Sequence, residues 1–69
     1  MMGPVEKARA AWGADIPDWV LVLAQECAAT SQTKVAKRLN RSASLVSTVL
    51  TNDYKGSMEA VEEIVRGAF

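Results

Sequence analysis

The apolar positions of the chain recur at helical spacing, and no stretch alternates with the period of two that a strand requires. This pattern predicts helices over about residues 4–12, 16–29, 32–39, 43–51 and 58–67. Each of these segments carries polar side chains on one side, as a helix packed on a small core does. We therefore expect an all-α protein, a compact bundle of four to five short helices forming a single domain over residues 1–69.

The expected helix ends rest on capping residues. Pro4 and Gly13 bracket the first helix, with proline at the start and glycine past the end. Asp15 is expected to cap the second helix, with Pro17 in its first turn. Asn40 tolerates the left-handed conformation and is expected to end the third helix. The remaining N-caps are predicted at Ser31, Ser42 and Ser57.

The second predicted helix has an unusually wide apolar stripe. Its members are Ile16, Trp19, Val20, Val22, Leu23 and Cys27. Two explanations stay open: the first helix packs on this stripe through Trp12, or two copies of the chain meet there. Cys27 is expected to be a small buried hydrophobe rather than a nucleophile. The other inward positions are predicted to be Val35, Ala36, Leu39, Val46, Val49, Leu50, Val61, Ile64 and Val65.

Composition removes several classes of function. The chain has no histidine and one cysteine, so we expect no zinc-finger-type metal site, no internal disulfide and no cofactor. Neither a catalytic base nor a phosphate-binding glycine loop is evident, and we expect no enzyme activity. No apolar run approaches the roughly 18 residues of a membrane span, and the start does not resemble a secretory signal. A cytoplasmic binding protein is the expectation.

Residues 31–51 meet the requirements of a helix-turn-helix one by one. Ala36 supplies the small residue where the two helices cross. Asn40 supplies a turn residue that accepts positive φ. The second helix opens on the Ser42 cap and is anchored from behind by apolar residues such as Val46. The spacing thus predicts two short helices joined by a tight turn.

This segment, "SQTKVAKRLNRSASLVSTVL", resembles the helix-turn-helix of the Cro and lambda-repressor-like DNA-binding family. The positions that carry the resemblance are Gln32, Val35, Ala36, Leu39, Ser42, Val46, Ser47 and Val49. The continuation "LTNDYKGSMEAVEEIV" is similar, more loosely, to the end of the N-terminal DNA-binding domain in the phage Mu transposition protein B family and to short regulators of Mu-like prophages. Asn40 and Arg41 depart from the glycine and the apolar residue usual in the turn. The resemblance implies a lambda-repressor-like fold and double-stranded DNA as the partner.

Charge is distributed unevenly although the formal net charge is +0. Residues 31–56 carry five cations against the single carboxylate of Asp53, whereas the segments on either side are acidic. DNA affinity comes largely from neutralising phosphates. A local basic patch can therefore bind DNA even when the net charge of the whole chain is zero. The alternative interpretation is an ordinary solvated polar face. Phosphate contacts are predicted at Thr33, Lys34, Lys37, Arg38, Arg41, Thr51, Asn52 and Lys55.

The second helix of the pair presents small side chains on its outer face. Base contacts are predicted at Gln32, Ala43, Ser44, Ser47 and Thr48. Only Gln32 has the two-pronged side chain that reads a base strongly. Leu45, at the margin of the apolar arc, is predicted either to touch a thymine methyl group or to pack on the core. Affinity is therefore expected to rest more on phosphates than on bases.

Two functions remain in competition. The leading expectation is a sequence-recognising or weakly specific double-stranded DNA-binding protein, a small transcriptional regulator or an accessory factor of a Mu-like prophage or other mobile element. It is expected to form a weak dimer, or to dimerise on DNA, through Trp19, Val22 or the C-terminal helix. The alternative is a helical protein-protein interaction module that has the fold but does not bind DNA. Its support is the zero net charge, the absence of long base-reading side chains, and the apolar residues Trp12, Trp19 and Val22.

Overall fold

A computed structural model describes residues 3–69 and places five α-helices in this part of the chain. They are α1 (Pro4–Trp12), α2 (Asp18–Ala29), α3 (Gln32–Leu39), α4 (Ala43–Leu50) and α5 (Met58–Ala68). A 3-10 turn, Gly13–Asp15, connects α1 to α2. No strand occurs within residues 3–69, which confirms the predicted all-α bundle.

Three of the helices begin at the serine caps that the sequence predicts. The side-chain oxygen of Ser31 accepts a hydrogen bond from the backbone N–H of Lys34 at 3.1 Å. Ser42 accepts from Leu45 N–H at 3.2 Å in the same way, and Ser57 caps α5. Each cap satisfies a backbone donor that the helix itself leaves unpaired, and contributes about 1 kcal/mol.

The predicted start of α2 is wrong by two residues. Asp15 lies in the 3-10 turn rather than at an N-cap, and the helix begins at Asp18 with Pro17 as its cap residue. The cause is local. A residue before proline is driven out of the helical region, and Ile16 accordingly has φ −57° and ψ 123°. The helix therefore starts only after the proline.

Asn40 ends α3 in the left-handed conformation, as predicted, with φ 57° and ψ 43°. The N–H of Arg41 donates to the carbonyl of Ala36 at 2.9 Å, and the N–H of Asn40 donates to that of Lys37 at 3.1 Å. This pair of bonds is a Schellman motif, which satisfies carbonyls at the end of a helix. The turn between α3 and α4 is thereby fixed by backbone hydrogen bonds.

The conformation of Asn40 gives a first prediction. Replacing Asn40 with alanine should lower the free energy of unfolding by about 1 kcal/mol, because a Cβ without a compensating polar group is strained at positive φ. For a domain of this size the melting temperature would fall by about 4–8 °C, measured by circular dichroism. Asn40→Gly is the control and should not be less stable than wild type. Equal melting of the alanine variant and wild type would contradict the left-handed turn.

The end of α4 repeats this arrangement and also receives α1. Asn52 has φ 58°, and its N–H donates to the carbonyl of Val49 at 3.1 Å. The same carbonyl accepts a second hydrogen bond, at 3.0 Å, from the indole Nε1 of Trp12. Trp12 is half-buried against the core and so joins α1 to the end of α4. This contact spans 37 residues of sequence.

The core draws residues from all five helices. Its fully buried members with the largest side chains are Leu23, Leu50, Val20, Val46, Val49 and Val65. The predicted inward residues of α3 and α4 are all buried, and so is Cys27. Ile64 of α5 is only half-buried, although it packs on the same core. Burial of this set is the main force that holds short helices together.

Arg66 connects α5 to the start of α2. Its guanidinium donates to the carboxylate of Asp18 at 2.9 Å and to that of Glu62 at 2.8 Å. The hydrogen bond from Arg66 lowers the pKa of Asp18 below its ordinary value of 3.8. A depressed carboxyl pKa stabilises the fold at pH values above the ordinary one, and this stabilisation is lost as the pH falls through the lower folded value. All three side chains are solvated, so the contribution is small.

Candidate nucleic-acid interface

Helices α3 and α4 form the helix-turn-helix arrangement, joined by residues 40–42. α3 turns Val35, Ala36 and Leu39 inward. α4 turns Val46, Val49 and Leu50 inward, and each of these three is fully buried. The burial of both apolar faces leaves the opposite face of α4 directed outward, away from the core.

The outward face of α4 consists of small side chains. Ala43 and Ser44 are exposed, and Ser47, Thr48 and Thr51 are half-buried. None of these side chains has an amide or a guanidinium group. Leu45 is half-buried and packs against the core, which favours the packing role over the base contact. A surface of this kind has little relief, so a second molecule can approach the helix backbone closely.

The hydroxyl groups of Thr48 and of Thr51, the C-cap residue of α4, already donate hydrogen bonds to backbone carbonyls of the helix. Thr48 Oγ1 donates to the carbonyl of Leu45 at 2.9 Å, and Thr51 Oγ1 donates to that of Ser47 at 3.1 Å. Thr51 also lies 3.3 Å from a carboxylate oxygen of Asp53. The hydroxyls of Ser44 and Ser47 make no hydrogen bond to residues 3–69. These internal bonds were not predicted from the sequence.

Residues 31–56 form the basic segment, and all five of its cations are exposed: Lys34, Lys37, Arg38, Arg41 and Lys55. Within residues 3–69 both ion pairs are made by Arg66, so none of the five cations is paired with a carboxylate. Unpaired surface cations keep their full charge available to an anionic partner. The guanidinium of Arg41 is partly held by its own turn, since Nη1 donates to the carbonyl of Asn40 at 2.9 Å.

Arg38 is held by α5, which the sequence did not indicate. Its Nε donates to the carbonyl of Ala68 at 3.1 Å, and its guanidinium carbon lies 4.7 Å from the centre of the Phe69 ring. Both are favourable contacts for arginine, the second being a cation–π interaction. Arg38 and Lys34 border a groove of about 120 Å³ that also includes Glu26. Lys37, Arg41 and Lys55 do not line this groove.

The other predicted contact residues lie around the same two helices. Thr33 and Asn52 are exposed, and Gln32 is half-buried in the first turn of α3. Asn52 has the left-handed backbone conformation that ends α4, so a structural role in this turn also explains an asparagine at this position. Gln32 and Thr33 lie at the α3 N-terminus, where backbone N–H groups and the helix dipole favour a negatively charged group.

A second groove, of about 190 Å³, lies between α2 and α5. Its apolar lining includes Trp19, Val22, Val65 and Phe69, and Asp18 is among its polar lining. Trp19 is only 6% exposed and forms part of the core, whereas Val22 is 39% exposed. Of the two explanations for the wide stripe on α2, packing within the domain accounts for the tryptophans. Val22 is the part of this stripe that stays exposed.

Cys27 is buried, and its burial raises the pKa of the thiol to about 11. A thiol with this pKa is almost entirely protonated at neutral pH, and the thiolate is the reactive form. The side chain therefore acts as a small hydrophobe at this position, as the sequence predicts. Within the described residues, no helix combines the length and apolarity needed to cross a membrane.

Comparison with known proteins gives no support for a family assignment. No protein-family model, no curated protein and no solved structure matches the chain.

Proposed function

We propose that this protein binds double-stranded DNA through α3 and α4. In this proposal α4 lies in the major groove, and the cations of the basic segment contact phosphates on either side. In this proposal the protein is a small transcriptional regulator or an accessory factor of a Mu-like prophage or other mobile element. The resemblance of residues 31–50 to Cro and lambda-repressor-like proteins supports DNA binding.

The observation that carries the proposal is the outer face of α4. A recognition helix must expose one face to base edges along its length. Here that face is a continuous run of small side chains, with Ser44 at its exposed start and Thr51 at its end. The opposite face is fully buried at Val46, Val49 and Leu50. The helix is therefore both firmly anchored and free to approach the floor of the groove.

Affinity in this arrangement comes mostly from charge. None of the small side chains on α4 makes the bidentate base contacts that are worth about 1–3 kcal/mol each. The unpaired cations supply the sequence-independent phosphate contribution instead. We infer modest sequence specificity superimposed on a strongly salt-dependent affinity.

A salt titration tests the proposal. If about four phosphates are neutralised per subunit, the logarithm of the association constant for a random-sequence duplex should fall with log salt at a slope near −3.6. Lys37→Gln should reduce the slope by about 0.9, the value of one phosphate contact. Arg9→Gln is the matched control, because Arg9 is exposed on α1 outside the basic segment. A slope near zero for wild type would rule out DNA binding.

The alternative, a protein-interaction module that does not bind DNA, rests in part on the apolar residues of α1 and α2. Two of the three residues that suggested it, Trp12 and Trp19, pack within the domain, and only Val22 is well exposed. The exposed apolar area is thus smaller than the sequence suggested. The salt titration distinguishes the two functions, because a protein-interaction module is not expected to bind a random-sequence DNA duplex.

We further propose that two copies pair on DNA, with the groove around Val22 as the contact. Helix-turn-helix proteins commonly bind two half-sites one helical turn apart. Val22→Glu should weaken self-association because it places a charge in an apolar contact, while the monomer stays folded because this side chain is exposed. Analytical ultracentrifugation with and without duplex measures the change. A monomer at high concentration that also binds DNA one to one would contradict the pairing.

A further inference from the structure

Thr48, the one threonine of α4, offers DNA a methyl group rather than a hydroxyl proton, an inference that rests on the proposed DNA-binding function. A threonine hydroxyl has one proton to donate. Thr48 donates its proton to the carbonyl of Leu45, three residues back, at 2.9 Å. The oxygen of Thr48 can therefore only accept a hydrogen bond from a base.

The same internal bond determines which group of Thr48 meets the groove. Threonine carries its hydroxyl and its methyl group on one carbon, and a bond from the hydroxyl to the preceding turn restricts χ1 to rotamers in which the hydroxyl reaches that turn. With the hydroxyl directed back along the helix, the methyl group is the side-chain group left to contact an approaching molecule. Thr48 lies one turn after the exposed Ser44 and on the side of α4 opposite Val46.

Only one base presents an apolar group in the major groove. Thymine carries its C5 methyl there, whereas the other edges present hydrogen-bond donors and acceptors. An oxygen that only accepts is repelled by the N7 and O6 acceptors of guanine. We propose that Thr48 is a specificity-determining residue that contacts a thymine methyl group, so that the preferred half-site carries a T·A pair beneath the middle of α4.

The test removes single methyl groups from the DNA. A duplex with the preferred sequence is first obtained by repeated selection from a random 20-base-pair pool with the wild-type protein. Each thymine in that duplex is then replaced in turn by uracil, which differs only by the methyl group. Wild type should bind about fourfold more weakly at one position per half-site, the effect of losing one buried methyl contact. Fluorescence anisotropy measures the affinities.

Two variants separate the methyl group from the hydroxyl. Thr48→Val keeps the methyl group and should keep the fourfold ratio between thymine and uracil duplexes. Thr48→Ser keeps the hydroxyl and should lower that ratio to about one. Circular dichroism should show the same helix content for both variants, since the position is on the outer face of α4.

The outcomes that overturn the inference differ from those that overturn DNA binding. A wild-type ratio of one at every thymine would remove the methyl contact, and so would a fourfold ratio that survives in Thr48→Ser. A selection that enriches no sequence, while random duplex is still bound with a steep salt dependence, would also overturn it and leave DNA binding intact. Absence of any duplex binding would overturn both.

Discussion

Val46→Asp is expected to leave the chain unfolded at pH 7. Val46 is 0% exposed and belongs to the core behind α4. Keeping a carboxyl group of ordinary pKa protonated at pH 7 costs about 4 kcal/mol, and losing the buried valine costs about 1.5–3 kcal/mol more. Together these match the whole stability of a domain this small, about 3–10 kcal/mol. Circular dichroism should show loss of helix and of the cooperative thermal transition.

The pH dependence of this variant identifies the buried charge as the cause. A buried carboxyl has a raised pKa in the folded state, so the penalty grows as the pH rises above the ordinary carboxyl value and shrinks below it. Helix content should therefore partly return near pH 4. Ser44→Asp is the control, because it places the same group at an exposed position of the same helix. A folded Val46→Asp protein at pH 7 would show that α4 does not bury this face.

The helices could be predicted because their signals are local. Serine caps, the left-handed asparagine and the apolar spacing lie within a few residues of the structure they determine, and the all-α fold follows from them. The start of α2 was missed although its signal was also local. Pro17 restricts Ile16, and that restriction outweighs the capping tendency of Asp15. The second left-handed residue, Asn52, had a comparable signal in the turn-rich segment that follows α4.

The remaining features depend on contacts between distant parts of the chain. The bond from Trp12 to Val49 spans 37 residues, and the bond from Arg38 to Ala68 spans 30. No spacing rule reveals such partners, because they are set by how whole helices pack. The sequence could identify Arg38 as a cation, but not that α5 would hold it. The outer face of α4 was predictable from periodicity, whereas the internal bond of Thr48 required side-chain geometry.

Ser44→Glu is expected to reduce DNA affinity more than tenfold without destabilising the protein. Ser44 is exposed in the first turn of α4, where a negative charge interacts favourably with the helix dipole by about 0.3–1 kcal/mol. In the major groove the same charge opposes nearby phosphates, by about 1 kcal/mol for each one at 4 Å even in water. It also faces base acceptors with no proton to offer. Anisotropy with a random-sequence duplex measures the affinity, and thermal melting measures the stability.

Glutamine at position 44 distinguishes the effect of the negative charge from the effect of the larger side chain. Ser44→Gln has nearly the same shape as the glutamate variant but no charge, so it should lose much less affinity. Ser47→Glu is expected to abolish DNA binding. Ser47 is half-buried, however, so this substitution is also expected to disturb packing. The effect of Ser44→Glu should shrink as salt is added, because screening weakens the repulsion between exposed charges. If the glutamate variant binds as tightly as wild type at low salt, α4 does not enter the groove and the proposed mechanism is wrong.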